Sequence, residues 1–265
     1  MFVTAVVLTY CFLVHGLPII EKPTIETEEV LSKDDYPELS SDKFEGDMIL
    51  STGRGLAIYG DENRWPKNII PYDISAITDT LHLNLITNAM KTLMYAVGTP
   101  NYQSTTRTSC VYFRPKNEND TNFLTIQYGK GCSATVGFRK SQRIVMNLAK
   151  KGCFRSGTIQ HELLHVLGFW HEQSRPDRDD YLTIHHENIQ EDRHHNFNKY
   201  EWSSKAYNQG YPYDYKSLMH YGAKAFSKNG EPTLVPKQTN AVIGLREKLS
   251  EQDIVEVRHL YKCEN

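Results

Sequence analysis

One stretch of the sequence decides both the fold and the chemistry: His161-Glu162-Leu163-Leu164-His165-Val166-Leu167-Gly168-Phe169-Trp170-His171. Residues four apart lie on the same face of an α-helix, so His161 and His165 can present two imidazoles to one metal ion. The leucines between them would hold the opposite side of the helix in the core. Gly168 can end the helix in a left-handed conformation, and the turn lets His171 approach as a third ligand.

The residue types in this stretch point to a catalytic zinc site. Three neutral imidazoles leave one position of a tetrahedral zinc open for water, whose pKa is then lowered to about 7. Glu162 is next to His161 and is not itself a ligand, so it can take the proton while the water attacks a peptide carbonyl. The same carboxylate can pass the proton to the departing amine. The pattern predicts zinc-dependent peptide-bond hydrolysis, with one zinc ion per chain and Glu162 as the general base.

Residues 1–16 predict a signal peptide. They carry no charged side chain apart from histidine, the apolar run is too short to span a bilayer as a stable helix, and the run ends at Gly16. A buried N-terminal strand is the alternative interpretation. No later apolar stretch is long enough to span, and the net charge of −2 favours neither nucleic acid nor a membrane as a partner. We therefore expect a secreted, extracellular monomer.

Export would allow two covalent modifications. Cys11 leaves with the signal peptide, and four cysteines remain: Cys110, Cys132, Cys153 and Cys263. In an oxidising compartment they suit two disulfides, with three possible pairings, whereas a cysteine zinc site lacks any Cys-x-x-Cys pair. Asn119-Asp120-Thr121 lies in a polar stretch and is an acceptor for N-glycosylation at Asn119.

Periodicity predicts further elements around the metal-binding stretch. An acidic segment at 21–42 has few aromatic residues and resembles a flexible chain. An apolar stripe predicts a helix from Leu83 to Val97, and Ser250 followed by Asp253 is typical of a helix start. Residues 175–244 show little periodicity and should be mostly irregular. The β-rich runs that predict strands are Ile69–Ile74, Cys110–Phe113, Phe123–Gln127 and Ile144–Leu148.

Beyond the third histidine the sequence resembles the astacin family of the metzincin clan. The stretches that carry the resemblance are His171–Tyr181, Asn188-Ile189 and Ser217–Tyr221, the last of which looks like the family's Met-turn. The resemblance extends over about residues 59–263 and implies an α+β fold of two lobes. The N-lobe, about 55–171, would carry a twisted, mostly antiparallel sheet and the zinc helix. The C-lobe, about 172–265, would be largely irregular and end in a helix, and an extended peptide or protein substrate would bind between the lobes.

The resemblance also implies roles for individual residues. The zinc ligands and the base would be His161, His165, His171 and Glu162. Met219 would lie beneath the ligands as an apolar floor. Tyr221 would be a movable zinc ligand that swings to hydrogen-bond the oxyanion in the transition state. Glu172 would contact the new N-terminus of the mature enzyme, and the family's disulfide pattern implies Cys110–Cys263 and Cys132–Cys153.

Upstream, Phe44-Glu45-Gly46-Asp47 resembles the family's pro-peptide motif. In that motif the aspartate ligates zinc and displaces the catalytic water, so Asp47 would be a ligand in the latent precursor alone. Gly46 would let the backbone approach the metal closely. Arg54-Gly55 is the basic site before the mature-like stretch 57–62, so an activating protease would cut after Arg54 or Gly55. The predicted organisation is a signal peptide at 1–16, an inhibitory propeptide at 17–54 and a catalytic domain at 55–265.

Two other functions compete with this interpretation. A catalytically dead relative would bind peptides without cutting them, which the intact Glu162 and Tyr221 argue against. A structural zinc protein would have a closed four-ligand site and would unfold when zinc is removed. Among protease roles, digestion, hatching, matrix processing and a venom function all suit a short secreted chain.

Overall fold

The computed structural model describes residues 17–23, 43–50, 63–101, 104–200 and 210–263. Within these ranges the α-helices are α1 (Thr80–Val97), α2 (Ser156–Leu167) and α3 (Glu251–Leu260). The strands are β1 (Ile19–Ile20), β2 (Met48–Ile49), β3 (Ile69–Asp73), β4 (Thr99–Pro100), β5 (Arg107–Thr108), β6 (Tyr112–Pro115), β7 (Leu124–Tyr128), β8 (Cys132–Thr135), β9 (Ile144–Leu148), β10 (Leu182–Ile184) and β11 (Leu234–Pro236). Short 3₁₀ helices span Pro66–Asn68, Glu172–Ser174, Arg178–Asp180, His186–Asn188 and Glu191–Phe197. The predicted signal peptide, the activation site and the mature-like stretch 57–62 lie outside the described residues.

The three helices expected from the sequence are confirmed, and local chemistry explains where they begin. The Asp79 carboxylate caps α1 by accepting the N–H groups of Leu81 and His82. At α3 the Ser250 side chain accepts the N–H of Asp253 while the Asp253 carboxylate accepts that of Ser250, a reciprocal capping box. In α1 the buried residues follow the predicted apolar stripe.

The large sheet has the strand order β2-β8-β9-β7-β3-β6. Its strand directions differ from those predicted from the sequence. Among its described strands the β8–β9 pair is antiparallel, and the other neighbouring pairs run parallel. The predicted mostly antiparallel pairing is therefore wrong, although the α+β class is confirmed. The physical reason lies in the connections, because β3 and β6 are joined through α1, and such a crossover returns the chain in the same direction.

Two large hydrophobic clusters form the core of the described structure. The larger joins the sheet to α1, α2 and α3, and it includes Leu163, Leu167 and Met219. The smaller is built from the C-lobe and packs Phe197, Phe226 and Leu234 around the antiparallel β10–β11 pair. None of the helices in the described ranges combines the length and apolar composition needed to cross a membrane.

Two disulfides have the pairing that the family resemblance implies. Cys110 is bonded to Cys263, so the chain just before β6 is tied to the segment after α3. Cys132 of β8 is bonded to Cys153, just ahead of α2. The first disulfide thus ties the segment after α3 to the sheet, and the second ties the chain just before α2 to β8. Asn119 is exposed in the turn between β6 and β7.

Candidate metal centre and active site

Helix α2, which carries His161 and His165, is buried inside the protein. Every residue from Gly157 to Leu167 is buried, and the backbone of Arg246 lies so close that a Cβ at Gly157 would be 1.7 Å from its carbonyl oxygen. Only glycine, which has no Cβ, allows α2 to approach the backbone of Arg246 this closely. At the other end Gly168 has φ of 112°, and its N–H donates to the carbonyls of Leu164 and His165. This left-handed cap is the turn predicted from the sequence.

Three imidazoles and one carboxylate converge on a single point. The ligand atoms of Asp47, His161, His165 and His171 all lie within 4.8 Å of one another, and all four side chains are buried. Asp47 Oδ2 is 3.0 Å from His161 Nε2 and 3.3 Å from His171 Nε2, and Asp47 Oδ1 is 3.4 Å from His165 Nε2. The two Nε2 atoms of His161 and His171 are 3.4 Å apart. The structure therefore brings together the four residues predicted as ligands, including the upstream residue Asp47.

This cluster fits a tetrahedral zinc ion. Zinc–nitrogen bonds of about 2.0–2.1 Å place neighbouring ligand atoms about 3.3–3.4 Å apart, which matches the spacing observed here. In the described part of the structure, His165 Nε2 and Asp47 Oδ1 are buried without a hydrogen bond. Such buried polar atoms are costly unless something satisfies them, and a metal ion would do so for both. The donor set of three imidazoles and one carboxylate is also one that zinc prefers.

The other ring nitrogen of each histidine selects the tautomer that can bind metal. His161 Nδ1 lies 2.9 Å from the Leu218 carbonyl and His165 Nδ1 lies 2.8 Å from the Phe169 carbonyl. His171 Nδ1 lies 2.8 Å from Glu45 Oε2. Each of these oxygens can accept from an Nδ1–H, which leaves Nε2 of each ring as the atom that would bind a metal once it is deprotonated.

The local charges also favour a cation. Burial alone would raise the pKa of Asp47, but the charges of His171 and His165 and a hydrogen bond from His161 hold that pKa well below its usual range. Burial would likewise lower the pKa of His171, yet the carboxylates of Asp47 and Glu45 raise it to about 9. Two buried carboxylates thus create a potential that a divalent cation would neutralise.

Glu162 and Tyr221 flank this centre without belonging to the four-residue group. The Glu162 side chain is fully buried on α2 beside His161. Tyr221 is also fully buried, with its ring centroid 4.7 Å from that of His171. Its hydroxyl donates to the main-chain carbonyl of Glu45, and its N–H donates to Gln173 Oε1. Tyr221 therefore lies beside the metal-binding group, and Glu162 lies on the same helix as two of its histidines.

The turn that carries Met219 is held by α3. The two Asp253 carboxylate oxygens accept from Ser217 Oγ at 2.7 Å and from the Leu218 N–H at 2.9 Å. The Leu218 carbonyl orients His161. The Asp253 carboxylate therefore positions this predicted ligand indirectly, by fixing the Leu218 turn. Met219 is buried in the main core.

Glu172 occupies a buried acidic environment. Its carboxylate accepts from Arg175 Nη1 at 3.1 Å and from the Asp214 N–H at 2.8 Å. Burial raises the pKa of Glu172 well above its usual range, opposed by the charge of Arg175 and reinforced by that of Glu256. The mature N-terminus that the resemblance brings to Glu172 lies outside the described residues.

Several residues around the centre have no signal in the sequence. The Glu45 carboxylate accepts hydrogen bonds from Ser174 Oγ at 2.9 Å and from the Tyr200 hydroxyl. Its backbone N–H donates to Asn196 Oδ1 at 3.1 Å. These contacts join positions that are far apart in the chain, so no local spacing could predict them. The sequence feature nearest to Glu45 is the motif around Asp47, and the motif predicts a role for the aspartate rather than for Glu45.

The stretch around Asp47 lies on the edge of the sheet. Strand β2 pairs in parallel with β8, and the Ala134 N–H donates to the Asp47 carbonyl at 2.9 Å. Phe44 packs edge-on against Trp170, with ring centroids 6.2 Å apart. Gly46 has φ of 85°, and this left-handed conformation turns the chain so that Asp47 reaches the histidines.

Comparison with known proteins identifies relatives over most of the chain. The family model described as Astacin, a peptidase family, matches residues 57–262. Low choriolytic enzyme of Oryzias latipes is 37% identical over 228 residues, which cover 83% of this chain and 78% of the relative. Meprin A subunit beta of Rattus norvegicus is 36% identical over 259 residues, covering 95% of this chain. This chain spans 34% of the length of that meprin subunit.

A solved structure gives the same picture in three dimensions. High choriolytic enzyme 1, a hatching enzyme zinc-protease from Oryzias latipes, superimposes with a TM-score of 0.67 at 34% sequence identity. The match covers 79% of this chain and 100% of the other.

Proposed function

This chain belongs to the astacin family of zinc metalloendopeptidases, and on that premise we propose that it is a secreted endopeptidase synthesised as a latent precursor. One observation carries the proposal. Three histidines of the catalytic domain and Asp47 of the upstream segment meet at a single buried point with the spacing of zinc ligands. The upstream segment therefore blocks the site that the family uses for hydrolysis. Its substrates would be extracellular proteins or peptides, bound in extended form.

In the active enzyme His161, His165 and His171 would hold one zinc ion per chain. When bound, zinc supplies Lewis acidity that polarises a peptide carbonyl and makes a water molecule more acidic. Glu162 takes a proton from the attacking water onto its carboxylate and delivers it to the nitrogen of the departing amine. The Tyr221 hydroxyl donates a hydrogen bond to the carbonyl oxygen as negative charge develops there. Met219 keeps the floor of the site apolar.

Latency would arise from two contacts of the pro-segment. The Asp47 carboxylate takes the position that water needs, and the Glu45 carbonyl engages the hydroxyl of Tyr221. A cut after Arg54 or Gly55 by an activating protease would release both contacts. The new N-terminus, a cation, would then settle near the buried carboxylate of Glu172.

The remaining assignments follow from an extracellular location. We assign residues 1–16 to a signal peptide, 17–54 to the propeptide and 55–265 to the catalytic domain, which acts as a monomer. The two disulfides suit an oxidising compartment, and exposed Asn119 would carry a glycan. Relatives named as hatching and choriolytic enzymes support action on an extracellular protein coat or matrix.

The experiment that tests this function is a peptidase assay of the activated chain with and without a chelator. We expect chelation to abolish cleavage while the circular dichroism spectrum stays native, and added zinc to restore activity. Unfolding on chelation would favour a structural zinc protein instead. Failure of the fully zinc-loaded, activated chain to cleave any peptide would favour a peptide-binding relative.

Replacing Asp47 tests latency directly. Uncut Asp47→Ala, with Arg54→Gln added to prevent processing, should cleave a short fluorogenic peptide while uncut Arg54→Gln stays silent. A charged hydrogen-bonded group is worth about 1.5–3 kcal/mol, so its loss should raise the open fraction about 10–100-fold. Some latency should remain, because β2 still lies on the edge of β8.

Glu21→Ala provides the matched control, because it removes an exposed carboxylate from the same segment and should leave the precursor silent. The prediction is wrong if the Asp47→Ala and parent precursors are equally silent and bind a small active-site inhibitor equally. That result would make latency purely steric.

A further inference from the structure

The three zinc-binding histidines differ in what orients them. The Nδ1 atoms of His161 and His165 face main-chain carbonyls of the catalytic domain, at 2.9 Å and 2.8 Å. His171 Nδ1 instead faces the Glu45 carboxylate at 2.8 Å, and Glu45 belongs to the pro-segment. His161 and His165 would therefore keep their hydrogen-bond partners after activation. His171 would lose its partner, Glu45, when the pro-segment is removed.

The Glu45 side chain is held in a pocket built for a carboxylate. It is fully buried, and besides His171 it accepts from Ser174 Oγ at 2.9 Å and from the Tyr200 hydroxyl. Its N–H donates to Asn196 Oδ1, which fixes the backbone at a left-handed φ of 46°. A buried carboxylate is costly unless several donors satisfy it, so this set of contacts defines one position for the side chain.

Such a carboxylate partner changes how well an imidazole binds metal. It fixes the ring orientation and the tautomer, and it raises the basicity of the ligating nitrogen. Removing partners of this kind typically lowers metal affinity about 10–100-fold.

We propose that Glu45 is a positioning residue for the zinc ligand His171, so that the precursor holds zinc more tightly than ligation by Asp47 alone would achieve. The proposal rests on the zinc site and the propeptide assigned under the proposed function. Two carboxylates of one short motif then act on the metal in different ways. Asp47 contributes a ligand atom, whereas Glu45 acts through the ring of His171. A single activating cut removes both, so zinc is best acquired before the pro-segment is released.

The test is a cycle of four uncut precursors, each carrying Arg54→Gln. They are the parent, Glu45→Gln, Asp47→Asn and the double variant. Zinc affinity is measured by competition with a chromogenic chelator at fixed pH and ionic strength. We expect Glu45→Gln to weaken zinc binding about 10–100-fold and to do so equally in the Asp47→Asn background. If Glu45 merely placed Asp47 correctly, its effect would disappear when Asp47 is replaced, and the proposal would be overturned.

The chain offers two matched controls. Glu21→Gln removes an exposed carboxylate from the same segment and should leave zinc affinity unchanged. The Glu45→Gln precursor with Arg54 intact gives, after cleavage, a mature enzyme identical in sequence to the wild type. Equal activity and zinc content of the two mature enzymes would show that the substitution acted through the precursor and not through misfolding.

A separate comparison serves if Glu45→Gln fails to fold. Uncut Asp47→Asn, which retains Glu45, should bind zinc at least about tenfold more tightly than the cut wild-type enzyme. Equal affinities would overturn the proposal. Cobalt substitution adds a spectroscopic readout, because altered orientation of His171 should shift the visible bands of the Glu45→Gln precursor. The peptidase activity of the uncut Asp47→Ala precursor tests the zymogen assignment separately. The zinc affinities test the role of Glu45, so the failure of either hypothesis can be told from the failure of the other.

Discussion

Glu162→Gln should lower kcat/KM about 10²–10⁴-fold while the zinc content of the activated protein stays at one ion per chain. The carboxylate is fully buried beside His161 but lies outside the group of ligand atoms that converge with Asp47. Glutamine keeps the shape of the side chain and removes its ability to accept a proton. Steady-state kinetics on a fluorogenic peptide, together with atomic absorption for zinc, measures both parts of the prediction.

The matched control is Glu118→Gln, which makes the same chemical change at an exposed position in a surface turn and should leave kinetics unchanged. Near-normal activity of Glu162→Gln would remove the general base from the mechanism. Loss of zinc in the variant would instead show that Glu162 supports the metal rather than moving a proton.

Tyr221→Phe should lower kcat about 10²–10³-fold and change KM little. The hydroxyl donates to the Glu45 carbonyl in this structure, so under the proposed function it would become available to a substrate once the pro-segment is removed. A donor that acts when charge develops on the carbonyl oxygen contributes to the transition state and not to the bound substrate. The buried ring packs near His171 and Phe226, and phenylalanine preserves that packing.

Tyr95→Phe is the control for this variant, since it removes a hydroxyl bonded to the Thr105 carbonyl far along α1. We expect it to match the wild type. An unchanged kcat for Tyr221→Phe would exclude the hydroxyl from the reaction, and a rise in KM alone would assign it to substrate binding.

The sequence predicts elements whose signals are local. The apolar stripe of α1, the capping box at Ser250 and the glycine after α2 each determine structure within a few residues, and the structure has all three. Strand direction has no such local signal. It depends on the path between strands, which is why the pairing of β3 with β6 and β7 could not be deduced from β-rich runs.

In the candidate site, too, local spacing predicts some residues and not others. His161, His165 and His171 lie close together in the chain, so their helical spacing and the turn at Gly168 predict that they meet. Asp47 and Tyr221 needed the family resemblance, because nothing in their own neighbourhood marks them. The contacts of Glu45 with residues of the C-lobe arise from tertiary packing, which spacing along the chain does not encode.

The anchoring of the Leu218 turn by Asp253 sets an order of events during synthesis. The carbonyl that orients His161 depends on a carboxylate of α3, and Cys263 beyond α3 closes a disulfide to Cys110. A ribosome makes the pro-segment first and α3 much later, at about 5–20 residues per second. Under the proposed function, the inhibitory segment would therefore already be part of the growing chain before the support for His161 is made. If the proposed latency holds, a complete catalytic centre would form during synthesis only in a chain that already carries Asp47.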